Sequence, residues 1–265
     1  MAGERGARAL VLVPRAAEVE VGGTQVGTLD VAPRTQIALR TTLPRGTRGA
    51  EWLALGPDGS VHRAGAGASL MVHFDEPGLW RLQLVAESDE GPLPFAALAV
   101  QVGPRARARV ASDADGEGAP EVRELRDARD VRAEINRDRA RRSLATLRGD
   151  PALEELARER AARLAEFGAV AHRLAPEGTH DGTPEERLRG AGLHARRVAE
   201  NVARARSLTE AFTRLGESPA HRAIRLESSL DALGVGVVTR GEWVYVVELY
   251  AAQPALVSAD AREAD

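Results

Sequence analysis

The sequence has no cysteine and no lysine, and aromatic residues make up only 3% of its 265 positions. The absence of cysteine excludes disulfides, thiolate zinc sites and cysteine nucleophiles. All 36 basic residues are arginine, and asparagine occurs only as Asn136 and Asn201. This bias is typical of a GC-rich genome, so the arginine content is not a sign of nucleic-acid binding. The formal net charge of −3 likewise gives no bulk attraction to nucleic acid.

Long hydrophobic runs are also missing. No stretch approaches the ~20 apolar residues that a membrane-spanning helix needs. The longest apolar run near the start, residues 9–13, is too short for the hydrophobic region of a signal peptide. The sequence therefore predicts no transmembrane segment and shows no export signal of its own.

The first hundred residues have the pattern of a β-domain. Short apolar or alternating runs are separated by turn sequences such as residues 56–59 and 76–78. This spacing predicts seven or eight strands in an all-β, immunoglobulin-like sandwich over residues 1–103. Residues 104–118, a basic triplet followed by an acidic stretch, predict a linker. No aromatic residues alternate with these arginines, which argues against a nucleic-acid-binding arm.

The apolar period becomes helical after residue 119. A stripe from Val122 to Ile135 predicts a first helix, and Asp150-Pro151 predicts the start of a second that ends at Gly168. Three more helix-capping signals follow, at Thr183, Ser207 and Ser218. Residues 233–239 and 243–251 predict a terminal β-hairpin. Helices and hairpin together predict an α+β domain over residues 119–252. The polar residues 253–265 predict a flexible tail. Gly234 and Gly236 lie within a strand, which favours close backbone packing over phosphate binding.

Two histidines and one acid are candidates for chemistry in this second domain. His172 follows the second helix, and His221 lies in the short helix after Ser218. Glu200 stands inside the short apolar segment 198–202, and charged residues are seldom buried unpaired. Glu200 therefore either faces water or meets a histidine or an arginine. From spacing alone, these residues form either a His/Glu cluster or a scatter of surface polar groups.

The second half of the chain resembles a known family. The segment Asp130-Val-Arg-Ala-Glu-Ile-Asn136 is followed in order by six further motifs: residues 150–153, Gly168-Ala-Val-Ala-His172, residues 182–188, Ala199-Glu-Asn-Val202, Ser218-Pro-Ala-His-Arg222 and Leu233-Gly-Val-Gly-Val237. Together they resemble bacterial domains of the CAP superfamily, which groups cysteine-rich secretory proteins, antigen 5 and pathogenesis-related proteins of class 1. The resemblance covers about residues 120–252.

The resemblance implies an α-β-α sandwich with a surface cleft that holds two histidines and two acids. His172, Glu200 and His221 match the motifs and would be the ligands of a weakly bound divalent metal such as Zn²⁺, although no cofactor is required. Glu217 and Glu177 are candidates for the second acid. Asn201 belongs to the same motif as Glu200, and it either lies at the cleft or holds backbone groups across it.

Three functions are compatible with these features. The resemblance favours a secreted or cell-envelope binding module whose unidentified ligand is a lipid or another envelope component. The alternatives are a metal-assisted hydrolase, or a structural envelope protein with a vestigial cleft. The chain has no Gly-x-Ser-x-Gly and no His-Glu-x-x-His motif, so no nucleophile–base pair is identifiable. We therefore expect no protease or esterase activity on generic substrates.

Overall fold

The structure is a computed structural model, which describes residues 8–13, 16–22, 26–42, 48–65, 69–88, 91–104, 124–174 and 181–252. The predicted linker beyond residue 104 and the predicted tail 253–265 lie outside the described residues. The chain divides into two compact units. One comprises Met1–Arg123 and Arg214–Ala223, and the other comprises Glu124–Thr213 and Ile224–Asp265. The domain boundaries drawn from the sequence stay a prediction.

The described part of the first 104 residues contains nine strands in two sheets. The strands are β1 (Arg8–Val13), β2 (Ala16–Gly22), β3 (Val26–Val31), β4 (Thr35–Thr42), β5 (Arg48–Leu55), β6 (Val61–Gly65), β7 (Ser69–Phe74), β8 (Gly78–Ser88) and β9 (Gly91–Val102). One sheet has the order β2-β1-β4-β7 and the other β3-β9-β8-β5-β6. All pairs are antiparallel except β3 with β9. The sequence did not predict β2, in which only two residues are β-branched.

The inner faces of the two sheets share one core, which confirms the predicted sandwich. Ile37 and Phe74 come from the four-stranded sheet and pack with Trp52, Leu84 and Leu98 of the five-stranded sheet. The alternation predicted for β8 holds, because every second residue from position 80 to 84 is buried.

The described chain from residue 124 contains five helices and four strands. They are α1 (Ala128–Arg141), β10 (Arg148–Gly149), α2 (Pro151–Phe167), α3 (Pro184–Gly190), β11 (Arg197–Ala205), α4 (Leu208–Glu217), α5 (Pro219–Arg225), β12 (Ala232–Arg240) and β13 (Trp243–Ala252). The sheet order is β10-β12-β13-β11, with only the β10–β12 pair parallel. The predicted α+β class is confirmed.

The start of α1 differs from the prediction. The helix begins at Ala128, because the Asp127 carboxylate accepts the backbone N–H groups of Arg129 and Asp130 and caps its first turn. Leu125 is buried but precedes the helix, so its place in the predicted stripe was wrong.

Helices cover both faces of this sheet. On one face, Val247 and Leu249 of β13 pack against Leu153 and Leu164 of α2. Glu248, which lies between these two residues on β13, points to the other face, because successive side chains of a strand alternate. There it binds Arg225 of α5, whose carbonyl oxygen accepts a hydrogen bond from Arg139 of α1. The α-β-α arrangement implied by the family resemblance is therefore confirmed.

Two glycines let α2 lie directly on β12. A Cβ atom added at Gly234 would lie 2.1 Å from the backbone of Leu153, and one added at Gly236 would lie 2.1 Å from the backbone of Ala157. Backbone atoms cannot rotate away as a side chain can. Glycine is therefore required at both positions, and the prediction of close backbone packing is confirmed.

Candidate functional site

A buried carboxylate lies between a histidine and two arginines on the α2 face of the sheet. The Glu200 side chain in β11 is 1% exposed. Its Oε1 is 3.2 Å from His172 Nδ1, and its Oε2 accepts a hydrogen bond of 2.6 Å from Arg187 Nη2 in α3. Arg160 Nε in α2 is 3.9 Å from the same oxygen. Sequence reasoning left open whether Glu200 faces water or a partner, and the structure brings it together with His172.

The two arginines also fix the segment that carries His172. Arg187 Nη1 donates hydrogen bonds to the carbonyl oxygens of His172 and Gly182, at 3.1 Å and 2.7 Å. Arg160 Nη2 donates to the carbonyl oxygen of Ala171 at 2.8 Å. The position of the histidine is thus set by the charged groups that surround the Glu200 carboxylate.

Arg160 is buried on the apolar face of α2 and pairs with a second acid. Its Nη1 donates to Asp181, whose other carboxylate oxygen accepts the backbone N–H of Leu174 at 2.7 Å. Burial lowers the pKa of Arg160, and the charge of Arg187 lowers it further, while Glu200 and Asp181 oppose this effect. The two carboxylates therefore offset only part of the cost of burying the Arg160 charge beside Arg187.

The capping signal at Thr183 positions Arg187. The Thr183 hydroxyl accepts the backbone N–H of Glu186 at 3.2 Å, and the Glu186 carboxylate accepts that of Thr183 at 2.7 Å. Proline follows at the first helical position, so the start of α3 is closely specified. Arg187 is the next residue after this capping box and is held by it in the first turns of a short helix.

Sequence reasoning missed Arg160, Asp181 and Arg187 as parts of this site. A signal for Arg160 was available, since it interrupts the apolar stripe of α2 between Ala157 and Leu164. An arginine on a buried stripe needs an acid partner. No such signal marks Asp181, which is 21 residues away from Arg160 in the chain.

The other predicted cleft residues are placed as follows. His221 is half-buried in α5, and Glu217 is exposed at the end of α4. Both belong to the segment Arg214–Ala223, which groups with the first unit. That His221 or Glu217 joins His172 and Glu200 stays a prediction. Glu177 lies outside the described residues.

Asn201 does not face His172. It follows Glu200 on β11, and successive strand residues point to opposite faces of the sheet. Asn201 is fully buried on the far face, where its Nδ2 donates to Glu248 Oε2 at 2.9 Å. The hypothesis that Asn201 lies at the cleft with Glu200 is therefore corrected, because the sheet itself separates the two side chains.

Glu248 is the centre of a second buried network on that far face. Arg225 donates to both of its oxygens, at 2.5 Å and 3.1 Å, and the Tyr250 hydroxyl donates at 2.7 Å. Burial would raise the pKa of Glu248, but the Arg225 charge and the hydrogen bonds hold it below the ordinary 4.5. Burial and the adjacent Glu248 charge raise the pKa of Tyr250 well above 10.0.

These shifts predict how the stability of the protein depends on pH. The lowered pKa of Glu248 contributes stability above about pH 4.5, which is lost as pH falls through the lowered value. The raised pKa of Tyr250 contributes stability below about pH 10, which is lost as pH rises further. The loss of stability above about pH 10 can be assigned to a tyrosine, because the chain has two tyrosines and neither cysteine nor lysine.

Urea midpoints measured against pH test this prediction. The Tyr250→Phe variant should lose most of the alkaline decline, whereas the matched control Tyr245→Phe should keep it. A decline of equal size in both variants would show that Tyr250 is not its source.

Glu200, one of the three predicted metal ligands, is already bound by other groups of the protein. No group of three or more histidine, aspartate or glutamate side chains suited to a metal ion occurs among the described residues. Both oxygens of Glu200 are engaged by His172 and Arg187, and a divalent cation there would meet two guanidinium groups. Glu200 contacts Nδ1 of His172. In metal sites, a carboxylate in this position orients a histidine whose other ring nitrogen binds the metal.

The comparison with protein families agrees with the fold. Residues 132–250 match the profile of the CAP family, described as the cysteine-rich secretory protein family. The match begins in α1 and ends in β13, so it spans the α-β-α sandwich and both halves of the His172–Glu200 pair. Residues 132–250 are therefore a CAP domain.

Several solved structures match this chain. An outer surface protein from Borrelia burgdorferi is 23% identical over 48% of this chain and 92% of its own, with a TM-score of 0.44. An extracellular SCP-domain protein from Bacillus anthracis is 12% identical over 82% of both chains, with a TM-score of 0.43. A cysteine-rich secretory protein from Staphylococcus aureus is 12% identical over 82% of this chain and 77% of its own, with a TM-score of 0.38.

The comparison with curated proteins gave no significant match. None of the helices in the described part of the chain is both long and apolar enough to cross a membrane.

Proposed function

We propose that this protein is a secreted or cell-envelope binding module that takes its ligand at His172 and Arg187 of the CAP domain. One observation carries the proposal: the two acids of the site are buried, while two of its hydrogen-bond donors, His172 and Arg187, are partly exposed. The Glu200 and Asp181 side chains are 1% and 8% exposed, whereas those of His172 and Arg187 are 18% and 20% exposed.

This arrangement suits a ligand that accepts hydrogen bonds. Arg163, whose side chain is 49% exposed, adds a third guanidinium group 3.7 Å from Asp181. Three arginines therefore face two carboxylates, and the exposed edge of the site carries donors and positive charge. A phosphate group is a strong partner for such donors, and bidentate contacts with arginine give it a defined orientation. We propose the phosphate headgroup of an envelope lipid as the ligand.

A binding role is also simpler than a catalytic one. Hydrolysis needs an activated nucleophile or a metal-bound water. The sequence has no nucleophile motif, and Glu200, which could have been a base, is held by two arginines. Nothing in the described residues favours the hydrolase alternative.

Binding to lipid vesicles tests the proposal. We expect the full chain to sediment with phosphatidylglycerol vesicles and His172→Ala to bind about tenfold more weakly. One charge-assisted hydrogen bond contributes about 1.5–3 kcal/mol, and about 1.4 kcal/mol corresponds to a factor of ten. The matched control is His194→Ala, because His194 is exposed and lies in the same domain. Equal binding by both variants would favour a structural protein with a vestigial cleft.

Zinc binding by His172 and His221 stays a prediction and has its own test. Calorimetric titration of the parent, His172→Ala and His194→Ala with Zn²⁺ should show weak binding that is lost only in His172→Ala. Identical titrations of all three proteins would exclude His172 as a ligand without affecting the lipid experiment.

A further inference from the structure

A cavity of about 410 Å³ opens into the β-sandwich of the first unit, outside the CAP domain. It lies between β6 and β7, which are edge strands of the two different sheets. Among the described strands neither β6 nor β7 has a further neighbour in its sheet, and the cavity opens at this side of the sandwich core. The volume is within the ~300–1,000 Å³ that is usual for small-molecule sites.

The inner wall of the cavity is apolar and aromatic. Trp52, Ala54, Trp80 and Leu82 line it, and all four belong to the buried core. The Trp80 ring is held in place by an edge contact with Phe74, at a centroid distance of 5.4 Å, and by its Nε1, which donates to the Glu76 carbonyl at 3.0 Å. His62 stacks on the outer face of Trp80 at 5.9 Å. These contacts fix the position of the Trp80 ring, and the wall suits a compact apolar group.

The mouth of the cavity is acidic. Asp58, Asp75 and Glu76 are among the lining residues, together with one arginine, Arg63, and two histidines, His62 and His73. The Arg63 guanidinium lies 3.4 Å from Glu51, so its charge is already balanced. Asp58 stabilises the adjacent turn by accepting from the Ser60 backbone and hydroxyl at 2.9 Å and 2.8 Å. Asp75 and Glu76 are exposed neighbours at the end of β7.

We propose that this cavity is a second binding site, for an organic ammonium ion with a compact apolar body. The apolar body would occupy the space beside Trp52 and Trp80, and the ammonium group would remain at the mouth, next to Asp75 and Glu76. The wall removes apolar surface from water, and the mouth has three acidic residues against one arginine that is already paired with Glu51. Together these features select this class of ligand. The site is independent of the function proposed for the CAP domain, because it uses no residue of that domain.

Three probes with one shape and three charges test the proposal. They are cyclohexylmethylammonium, cyclohexylmethanol and cyclohexanecarboxylate, added to the full chain carrying Trp243→Phe. The remaining tryptophans, Trp52 and Trp80, both line the cavity and report binding by fluorescence. We expect the ammonium to bind at least about tenfold more tightly than the alcohol, a difference that rising salt should reduce, and the carboxylate to bind most weakly.

Variants test whether the preference for the ammonium probe depends on the acids at the mouth of the cavity and on its open volume. Asp75→Asn/Glu76→Gln should reduce ammonium binding to the level of the alcohol, whereas Asp30→Asn, an exposed acid of β3, should leave it unchanged. Ala64→Trp on edge strand β6 should fill the cavity and abolish binding of every probe while the melting temperature is retained. Equal affinity for ammonium and alcohol, a preference unaffected by Asp75→Asn/Glu76→Gln, or no binding of any probe would each overturn the proposal.

Discussion

The Glu248→Gln variant should lose about 3–5 kcal/mol of its free energy of unfolding, which is a large share of the stability of an ordinary domain. Glu248 and Arg225 have side chains that are 0% and 2% exposed. Glutamine has almost the same shape as glutamate but no charge, so the guanidinium would stay buried without its counter-charge. The variant also weakens the acceptor for Asn201 and Tyr250, which both donate to the same oxygen.

A surface ion pair provides the control for this prediction. Arg206 and Glu242 are paired at 2.5 Å, but their side chains are 55% and 80% exposed. Glu242→Gln should change stability by less than about 1 kcal/mol, because water already solvates both groups. Urea unfolding of the two variants compares the effects directly. If Glu248→Gln unfolds at the same urea concentration as Glu242→Gln, the buried network does not stabilise the CAP domain in the way described.

The Gly236→Ala variant should be destabilised by about 3 kcal/mol, since a single methyl group would overlap the backbone of α2. An added Cβ would lie 2.1 Å from the Ala157 carbonyl oxygen and 2.2 Å from its carbon. No rotamer relieves a contact between a Cβ atom and a backbone, so α2 would have to move away from the sheet. That movement would also disturb Arg160, one turn further along the same helix.

Gly190→Ala is the matched control for this substitution. Gly190 ends α3, has no positive φ, and has no heavy atom within 4 Å of the added Cβ. Alanine there should be neutral or stabilising by up to about 1 kcal/mol, because it restricts the unfolded chain. Circular dichroism during thermal and urea unfolding distinguishes the two outcomes. A Gly236→Ala variant as stable as Gly190→Ala would contradict the close approach of α2 to β12.

The candidate site was predicted from the sequence only in part. The motif order identified the CAP domain and selected His172 and Glu200, which the structure brings within hydrogen-bonding distance. The motif could not show that Glu200 and Asn201 bind partners on opposite sides of the sheet. In the sequence, the segment that carries them is a short apolar stretch, which does not by itself predict the strand β11. Without the strand, the alternation of its side chains could not be used.

The sequence by itself determined the features that arise from neighbouring residues. Turn residues and alternation define the sandwich strands, the Thr183 capping box starts α3, and the glycines of β12 admit α2, because each of these depends on backbone geometry over a few positions. Only the tertiary structure decided which charges meet. The partners Arg160 and Asp181 are 21 residues apart, and Arg225 and Glu248 are 23 apart. Their pairing follows from packing, since a buried charge is stable only beside an opposite charge that the fold brings to it.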